Sequence, residues 1–311
     1  MIRTEGLTKR FGGQKRGDQV TAVQNLALDV REGEVFGFLG PNGAGKTTTV
    51  RMLTALIAPT AGRAWVNGYE VGPENMAVRR SVGLLTETPG LYERMSAERN
   101  LSLYARLYEV GDAAGQVEKY LRLLELWDRR SEPVGGFSKG MKQKLAIARA
   151  LVHEPRTLFL DEPTAGLDPE AAKIVRDFIV QLKATGRTIF LCTHNLDEAD
   201  RLCDRVAVFK THLIQVDTPA NLRLALSPAG RTVVFHLLNP NEGLAEAARR
   251  LPFVHEARLL DGKLAVTLAD PERDNPALVW RLVEAGAEVQ FVGELRHSLE
   301  EVYLELVHRP G

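Results

Sequence analysis

Gly40, Pro41, Asn42, Gly43, Ala44, Gly45, Lys46 and Thr47 follow the spacing G-x-x-x-x-G-K-S/T, a segment that can cradle phosphate. Its glycines let backbone N–H groups approach phosphate oxygens with no Cβ in the way. Lys46 offers a cation to β- and γ-phosphates, the Thr47 hydroxyl offers Mg²⁺ an oxygen ligand, and Thr48 carries the cradle into the next turn. A second pair, Asp161-Glu162, closes the apolar run Thr157-Leu158-Phe159-Leu160. Carboxylates at the carboxyl end of a strand in an open α/β sheet stand where ligands bind. Asp161 is placed to hold the Mg²⁺ of a nucleotide. Glu162, one residue on, can orient an attacking water or take a proton from it.

These side chains need elements that hold them together. Glu34 to Leu39 reads as a buried strand ahead of the phosphate loop, and Thr48 to Leu56 as the helix behind it. A strand, a glycine-rich turn and a helix N-terminus aim several N–H groups at one spot. Val82 to Leu85 and Thr188 to Cys192 read as further strands, the second ending next to His194. Lys139 to Leu151 has helical composition, with Ser138 as its N-cap and Met141, Leu145, Ala148 and Leu151 on one face. Lys139, Lys142 and Lys144 crowd its first turns. Cations there oppose the helix dipole by about 0.3–1 kcal/mol each when exposed, and a docked anion reverses the sign. Lys142 and Lys144 read as extending into water. Ala97 to Tyr108 and Gln116 to Leu126 show apolar periodicity and read as helices.

Phe137-Ser138-Lys139-Gly140-Met141-Lys142-Gln143-Lys144, Pro163-Thr164-Ala165-Gly166-Leu167-Asp168 and Thr193-His194 complete an ordered set with the two motifs above. The set resembles an ABC-type ATPase cassette, from residue 1 to about 216: P-loop, signature, Walker B, D-loop and switch histidine in the family's order. The resemblance implies a fold: a RecA-like α/β core, an antiparallel β region and a helical subdomain at about 88–150. It also implies ATP bound between two cassettes head to tail, as a homodimer. Ser138 and the Gly140 backbone would reach the γ-phosphate held by the partner, and Asp168 would work across the same interface. His194 would sense the γ-phosphate. Three features, at four positions, depart from the family pattern. Lys139 and Met141 replace a glycine and a glutamine of the signature, Glu87 stands where a metal-binding glutamine is usual, and Phe11 takes the place of the adenine-stacking aromatic. A carboxylate can still ligate Mg²⁺, although it cannot donate a hydrogen bond when ionised. A phenyl ring can stack on a base. Gly13 to Gln19 reads as a lengthened polar loop.

At 311 residues the chain has room for two domains, and 44% hydrophobic residues supply their cores. The 40 Lys and Arg balance 40 Asp and Glu, which leaves no electrostatic footprint for nucleic acid. Cys192 and Cys203 are too few for a disulfide framework and read as buried thiols. No run approaches the ~18 apolar residues of a membrane span. The expectation is a cytoplasmic protein, peripheral on the inner membrane face through a transmembrane partner on another polypeptide. In the family the helical subdomain receives that partner, and Leu91-Tyr92 lies near the junction; both are equally readable as core of the insert.

The pattern changes around Leu226 to Gly230, dividing 1–226 from 227–311. Beyond it, Thr232–Leu238, Val254–Leu260, Lys263–Leu268 and Glu288–Val292 read as strands, with helices at Glu242–Arg250 and Pro276–Glu284. Asp261-Gly262 signals a hairpin turn. The order β-α-β-β-α-β suggests a small α+β ferredoxin-like domain. A last segment places Leu299, Val302, Tyr303, Leu306 and Val307 at helical spacing, a core stripe or a dimer contact. Ser298 to Leu304 and the Phe-Ser-Lys-Gly-Met signature resemble ATPase subunits of ABC-2-type exporters, which work with separate permease subunits. The alternative is a non-transport ABC ATPase acting on DNA or ribosomes; the single cassette, with no long heptad run and no cysteine cluster, speaks against it.

Overall fold

The computed structural model describes residues 1–12, 19–225, 230–295 and 298–308. The polar loop read at Gly13 to Gln19 lies almost wholly outside these, as does most of the break at Leu226 to Gly230. Two compact units, Met1–Thr218 and Pro219–Gly311, divide the chain.

Unit 1 opens with strands β1 (Ile2–Phe11), β2 (Val20–Val30) and β3 (Val35–Leu39), then helix α1 (Lys46–Leu53). Strands β4 (Ala61–Val66) and β5 (Tyr69–Glu70), helix α2 (Asn75–Ser81) and strand β6 (Val82–Leu85) follow. Three helices come next, α3 (Ala97–Leu107), α4 (Ala113–Leu123) and α5 (Lys139–Leu151). The unit closes with β7 (Thr157–Asp161), α6 (Pro169–Ala184), β8 (Thr188–Thr193), α7 (Leu196–Leu202), β9 (Arg205–Lys210) and β10 (His212–Asp217).

Among the described residues the central sheet has six strands in the order β10-β9-β3-β8-β7-β6. All pairs are parallel except β10 on β9, at one edge. Every residue of β3, β7 and β8 is buried, as continuous apolar runs with both faces covered must be. Phe38 anchors the interior between Phe190 and Phe209, with ring centroids 5.3 and 4.6 Å away. Each fully buried ring of this kind contributes about 1.5–3 kcal/mol. A second sheet, β2-β1-β4-β5, is antiparallel and packs its buried face into the same core.

The first two helices of the helical region start where a side chain caps them. Ser96 Oγ accepts from the Arg99 N–H, and Asp112 Oδ1 from the Gly115 N–H at 2.9 Å. The Asp112 cap explains why α4 begins at Ala113 rather than near Gln116. In α5 the expected cap is present, with Ser138 Oγ 3.2 Å from the Met141 N–H. Lys142 and Lys144, however, do not extend into water. Lys142 Nζ pairs with Glu93 at 2.8 Å, and Lys144 Nζ, largely buried, with Glu125 at 2.9 Å. These acids offset the dipole penalty that the lysines would otherwise carry.

Unit 2 comprises α8 (Pro219–Ala225), β11 (Arg231–Leu237), α9 (Glu242–Arg249), β12 (Val254–Leu260), β13 (Lys263–Leu268), α10 (Pro271–Glu284), β14 (Val289–Leu295) and α11 (Leu299–His308). Its sheet runs β12-β13-β11-β14 with antiparallel neighbours, the order of a ferredoxin-like domain. Asp261 and Gly262 both have positive φ, 48° and 73°, as the tight hairpin requires. Helix α10 starts five residues before the expected Pro276, because Asp270 caps it and Pro271 fills the first position. Leu299 and Val302 of the terminal stripe are buried, as is Leu222 of α8, so this part of the stripe is core.

Candidate nucleotide-binding active site

The phosphate loop joins β3 to α1 at the carboxyl edge of the central sheet. Gly45 takes φ 107°, and a Cβ there would lie 2.1 Å from the Ala22 carbonyl oxygen of β2. Gly40 is equally confined, its hypothetical Cβ 2.3 Å from the Phe209 carbonyl. Only glycine fits either position. The loop wraps a cavity of about 330 Å³, lined by Pro41 to Thr48 together with Ala22, Glu87, Asp161, Glu162, Ala165 and His194.

Inside it, Lys46 is 6% exposed, and its ammonium donates to the Gly40 and Pro41 carbonyls at 2.7 and 3.3 Å. The same Nζ stands 3.7 Å from Glu162 Oε1. Thr47 donates its hydroxyl proton to Asp161 Oδ2 at 2.8 Å. Burial raises the Asp161 carboxyl above its ordinary range. The Thr47 hydrogen bond and Lys46 oppose that rise, while the charges of Glu162 and Glu87 add to it. Asp161 and Glu162 thus stand beside the Thr47 hydroxyl and Lys46, with exposed Glu87 on the wall of the same cavity. The carboxylates and the hydroxyl are hard oxygen donors, and a divalent cation of the Mg²⁺ type fits them.

Glu162 leaves β7 with φ 51°, a left-handed turn rarely adopted by bulky residues. Its N–H donates to the Cys192 carbonyl at 2.9 Å, which pins the turn to β8. This turn places Glu162 Oε1 2.8 Å from His194 Nδ1. An ionised carboxylate only accepts, so Nδ1 carries the proton there. Cys192 and Cys203 are buried free thiols. Burial raises both pKa values, consistent with inert core cysteines.

The cavity therefore gathers Pro41 to Thr48, Glu87, Asp161, Glu162 and His194, with Gly40 just behind as an acceptor for Lys46. It does not gather Phe11, Ser138, Gly140 or Asp168. Phe11 sits at the end of β1, 46% exposed, with the Lys9 ammonium 5.2 Å from its ring centroid. Ser138 and Asp168 cap α5 and α6. Gly140 is buried, with room for no side chain beside Ala171. Gln143 ties this region to the active-site loop by donating to the Pro163 carbonyl at 2.7 Å. Ala22, in no motif, escaped the sequence reading, and Ala165 entered it only within the segment Pro163 to Asp168, with no role of its own.

Residues 23–165 match the family described as ABC transporter. Along 98% of its length the chain is 37% identical to the daunorubicin resistance ATP-binding protein DrrA3 of Streptomyces coeruleorubidus, covering 95% of that protein. The chain belongs to the ABC transporter ATP-binding proteins. It is also 41% identical to the ABC transporter ATP-binding protein NatA of Bacillus subtilis, over 66% of this chain and 84% of that one. A solved ATP-binding subunit of an ABC transporter superposes with a TM-score of 0.65 at 31% identity, over 73% of this chain and 93% of the other. The cassette is an enzyme that hydrolyses ATP, and its P-loop core is the ABC ATPase fold. No helix among the described residues is long and apolar enough to cross a membrane.

Proposed function

We propose that the cassette powers an exporter of the ABC-2 type as a head-to-tail homodimer, docked on separate transmembrane subunits at the inner face of the membrane. The observation that carries the catalytic half is the meeting of Lys46, Thr47, Asp161, Glu162 and His194 in one cavity. Lys46 and the loop N–H groups hold the phosphates. Thr47, Asp161 and Glu87 are the residues that would hold Mg²⁺, whose charge offsets that of the β- and γ-phosphate oxygens. Glu162 takes the proton of the attacking water. His194 Nδ1–H orients Glu162, so Nε2–H is available to the γ-phosphate only when the ring carries both protons. Phe11 would stack on adenine.

The dimer reading is supported by the residues that the cavity does not gather. Ser138, Gly140 and Asp168 match the family's trans-acting positions, yet they do not line their own phosphate site. In the head-to-tail arrangement they would meet the nucleotide of the other protomer. Export is supported by relatives named for daunorubicin resistance and fluoroquinolone export. Tyr92, 48% exposed beside α3, suits a docking role better than a core one.

The test is Glu162→Gln with ATP: binding should persist, and gel filtration should show a trapped dimer. A monomer at saturating ATP would remove the sandwich from the scheme. Detergent co-purification with a membrane protein encoded beside the gene tests the partner, and its failure would leave the non-transport alternative standing.

A further inference from the structure

Glu198 in α7 is 2% exposed, a buried acid with no part in the scheme above. Asn195 Oδ1 caps α7 at the Glu198 N–H, 3.1 Å away. Glu198 Oε2 lies 3.3 Å from Thr193 Oγ1, and that oxygen lies 3.4 Å from Glu162 Oε2. Thr193 Oγ1 also accepts the Asn195 N–H at 3.0 Å. Thr193 is fully buried, so these contacts lie out of bulk solvent.

One threonine hydroxyl has one proton to give. With both carboxyls ionised it can satisfy only one, and the other contact sets two acceptors against each other in a dry place. Burial raises the Glu198 carboxyl above its ordinary range, and the charge of Glu162 adds to this. The Thr164 and Thr193 hydroxyls and Arg176 of α6 pull the other way. Glu198 Oε1 has no hydrogen-bond partner among the described residues. A neutral Glu198 settles the proton count. Its O–H donates to Thr193 Oγ1, and the threonine proton goes to Glu162 Oε2. Both oxygens of Glu162 are then engaged, Oε1 by His194 and Oε2 by Thr193.

We propose that Glu198 is a positioning residue for ATP hydrolysis: as a hydrogen-bond donor through Thr193, it fixes the orientation in which Glu162 meets water. The proposal rests on Glu162 being the base.

The experiment measures ATP turnover and ATP affinity of the purified full chain. Glu198→Gln keeps a donor toward Thr193 and should keep kcat near wild type. Glu198→Met keeps the length, removes the donor, and should lower kcat about 10- to 100-fold, the scale of a misplaced catalytic group. Thr193→Val should do the same, and the double variant should fall no further than either single one. ATP affinity should be unchanged throughout. A Glu198→Gln variant as slow as Glu198→Met, or Thr193→Val at the wild-type rate, would overturn the proposal. Should Glu198→Met fail to fold by circular dichroism, the Glu198→Gln and Thr193→Val pair decides. Glu162→Gln is run alongside. If it turns over normally the base assignment fails, whereas an inactive Glu162→Gln beside a normal Thr193→Val sinks this proposal alone.

Discussion

The two units of this chain bury different things. Among the described residues, unit 1 buries Glu34, Lys46, Lys144, Asp161 and Glu198 below a tenth of their exposed area, besides several threonines and amides. Among its described residues unit 2 buries no charged or polar side chain to that degree; its core is Val233, Phe235, Leu264, Val266, Leu278, Leu282 and their apolar neighbours. Burying a charge costs several kcal/mol unless partners offset it. Three of the five in unit 1, Lys46, Asp161 and Glu198, lie around the carboxyl ends of β7 and β8: Asp161 ends β7, Lys46 stands 3.7 Å from Glu162 and Glu198 3.3 Å from Thr193. An apolar core is the cheaper way to hold a domain together, and unit 2 uses it throughout. The difference separates a unit shaped by chemistry from one shaped by packing.

Substitutions at the charged edge should therefore have the largest effects. Glu162→Gln should lower kcat by about 10²- to 10⁴-fold, the usual loss of a general base, with ATP affinity intact. Its isosteric amide preserves the bulk between His194 and Lys46 but cannot take a proton from water. Phosphate release at the wild-type rate would move the base elsewhere, Glu87 being the next carboxylate on the cavity wall.

Lys46→Ala should weaken ATP binding by about 2–5 kcal/mol, the range for truncating one side of a buried charged pair. The ammonium is held by two loop carbonyls, so its position for phosphate is preset. Equilibrium binding of labelled ATP measures the loss. Wild-type affinity would mean that the loop backbone alone holds the nucleotide.

Removing unit 2 should cost the chemistry little. A chain ending at Thr218 keeps every side chain that lines the phosphate cavity and should bind ATP within about twofold of wild type, since no contact to the nucleotide is lost. The cut belongs at Thr218 rather than near Ser227, because α8 contributes buried Leu222 to unit 2. Loss of nucleotide binding by a folded truncation would show that unit 2 shapes the site, and the contrast between the units would fail.

Much of this was legible in the sequence. The strand at Val82–Leu85, the Ser138 cap and the Asp261-Gly262 hairpin follow from local pattern and stand at the expected residues. So does the meeting of Lys46, Asp161, Glu162 and His194, because each lies at the carboxyl end of a strand of the central sheet or in the segment that follows it. What stayed hidden depends on residues far apart in the chain. Lys142 meets Glu93 across 49 residues and Lys144 meets Glu125 across 19, spacings that no helical periodicity encodes. The Ala22 carbonyl against Gly45 comes from the packing of β2 over the loop, and the left-handed turn at Glu162 from its bond to Cys192. Glu198 belongs to no sequence motif, and its tie to Glu162 through Thr193 comes from the packing of α7 on β8.

The smallest effect concerns His153, a half-buried polar group of unit 1 away from the nucleotide. Its ring stacks on Tyr108, centroids 3.8 Å apart, and Nε2–H donates to the Val82 carbonyl at 3.0 Å. Nδ1 is then the unprotonated nitrogen, buried and without a partner among the described residues. Burial lowers the pKa from 6.5, against weaker upward pulls from the Val82 carbonyl and Glu154. The unfolded chain takes up the proton near 6.5, while the folded chain takes it up only at lower pH. Between these values the unfolded state binds more protons, so stability falls as pH falls. Asp161 and Glu198, whose folded pKa values are raised, work in the opposite sense, so only a difference between variants isolates the histidine. Glutamine cannot titrate, yet it can still donate toward Val82. Between about pH 8 and about pH 5.5, His153→Gln should lose less melting temperature than wild type, although it starts lower for want of the ring stack. The same difference should persist in the chain ending at Thr218. Equal acid shifts in both proteins would place the pH response elsewhere, and a difference that disappeared with unit 2 would mean that the polar burial of unit 1 is not the source.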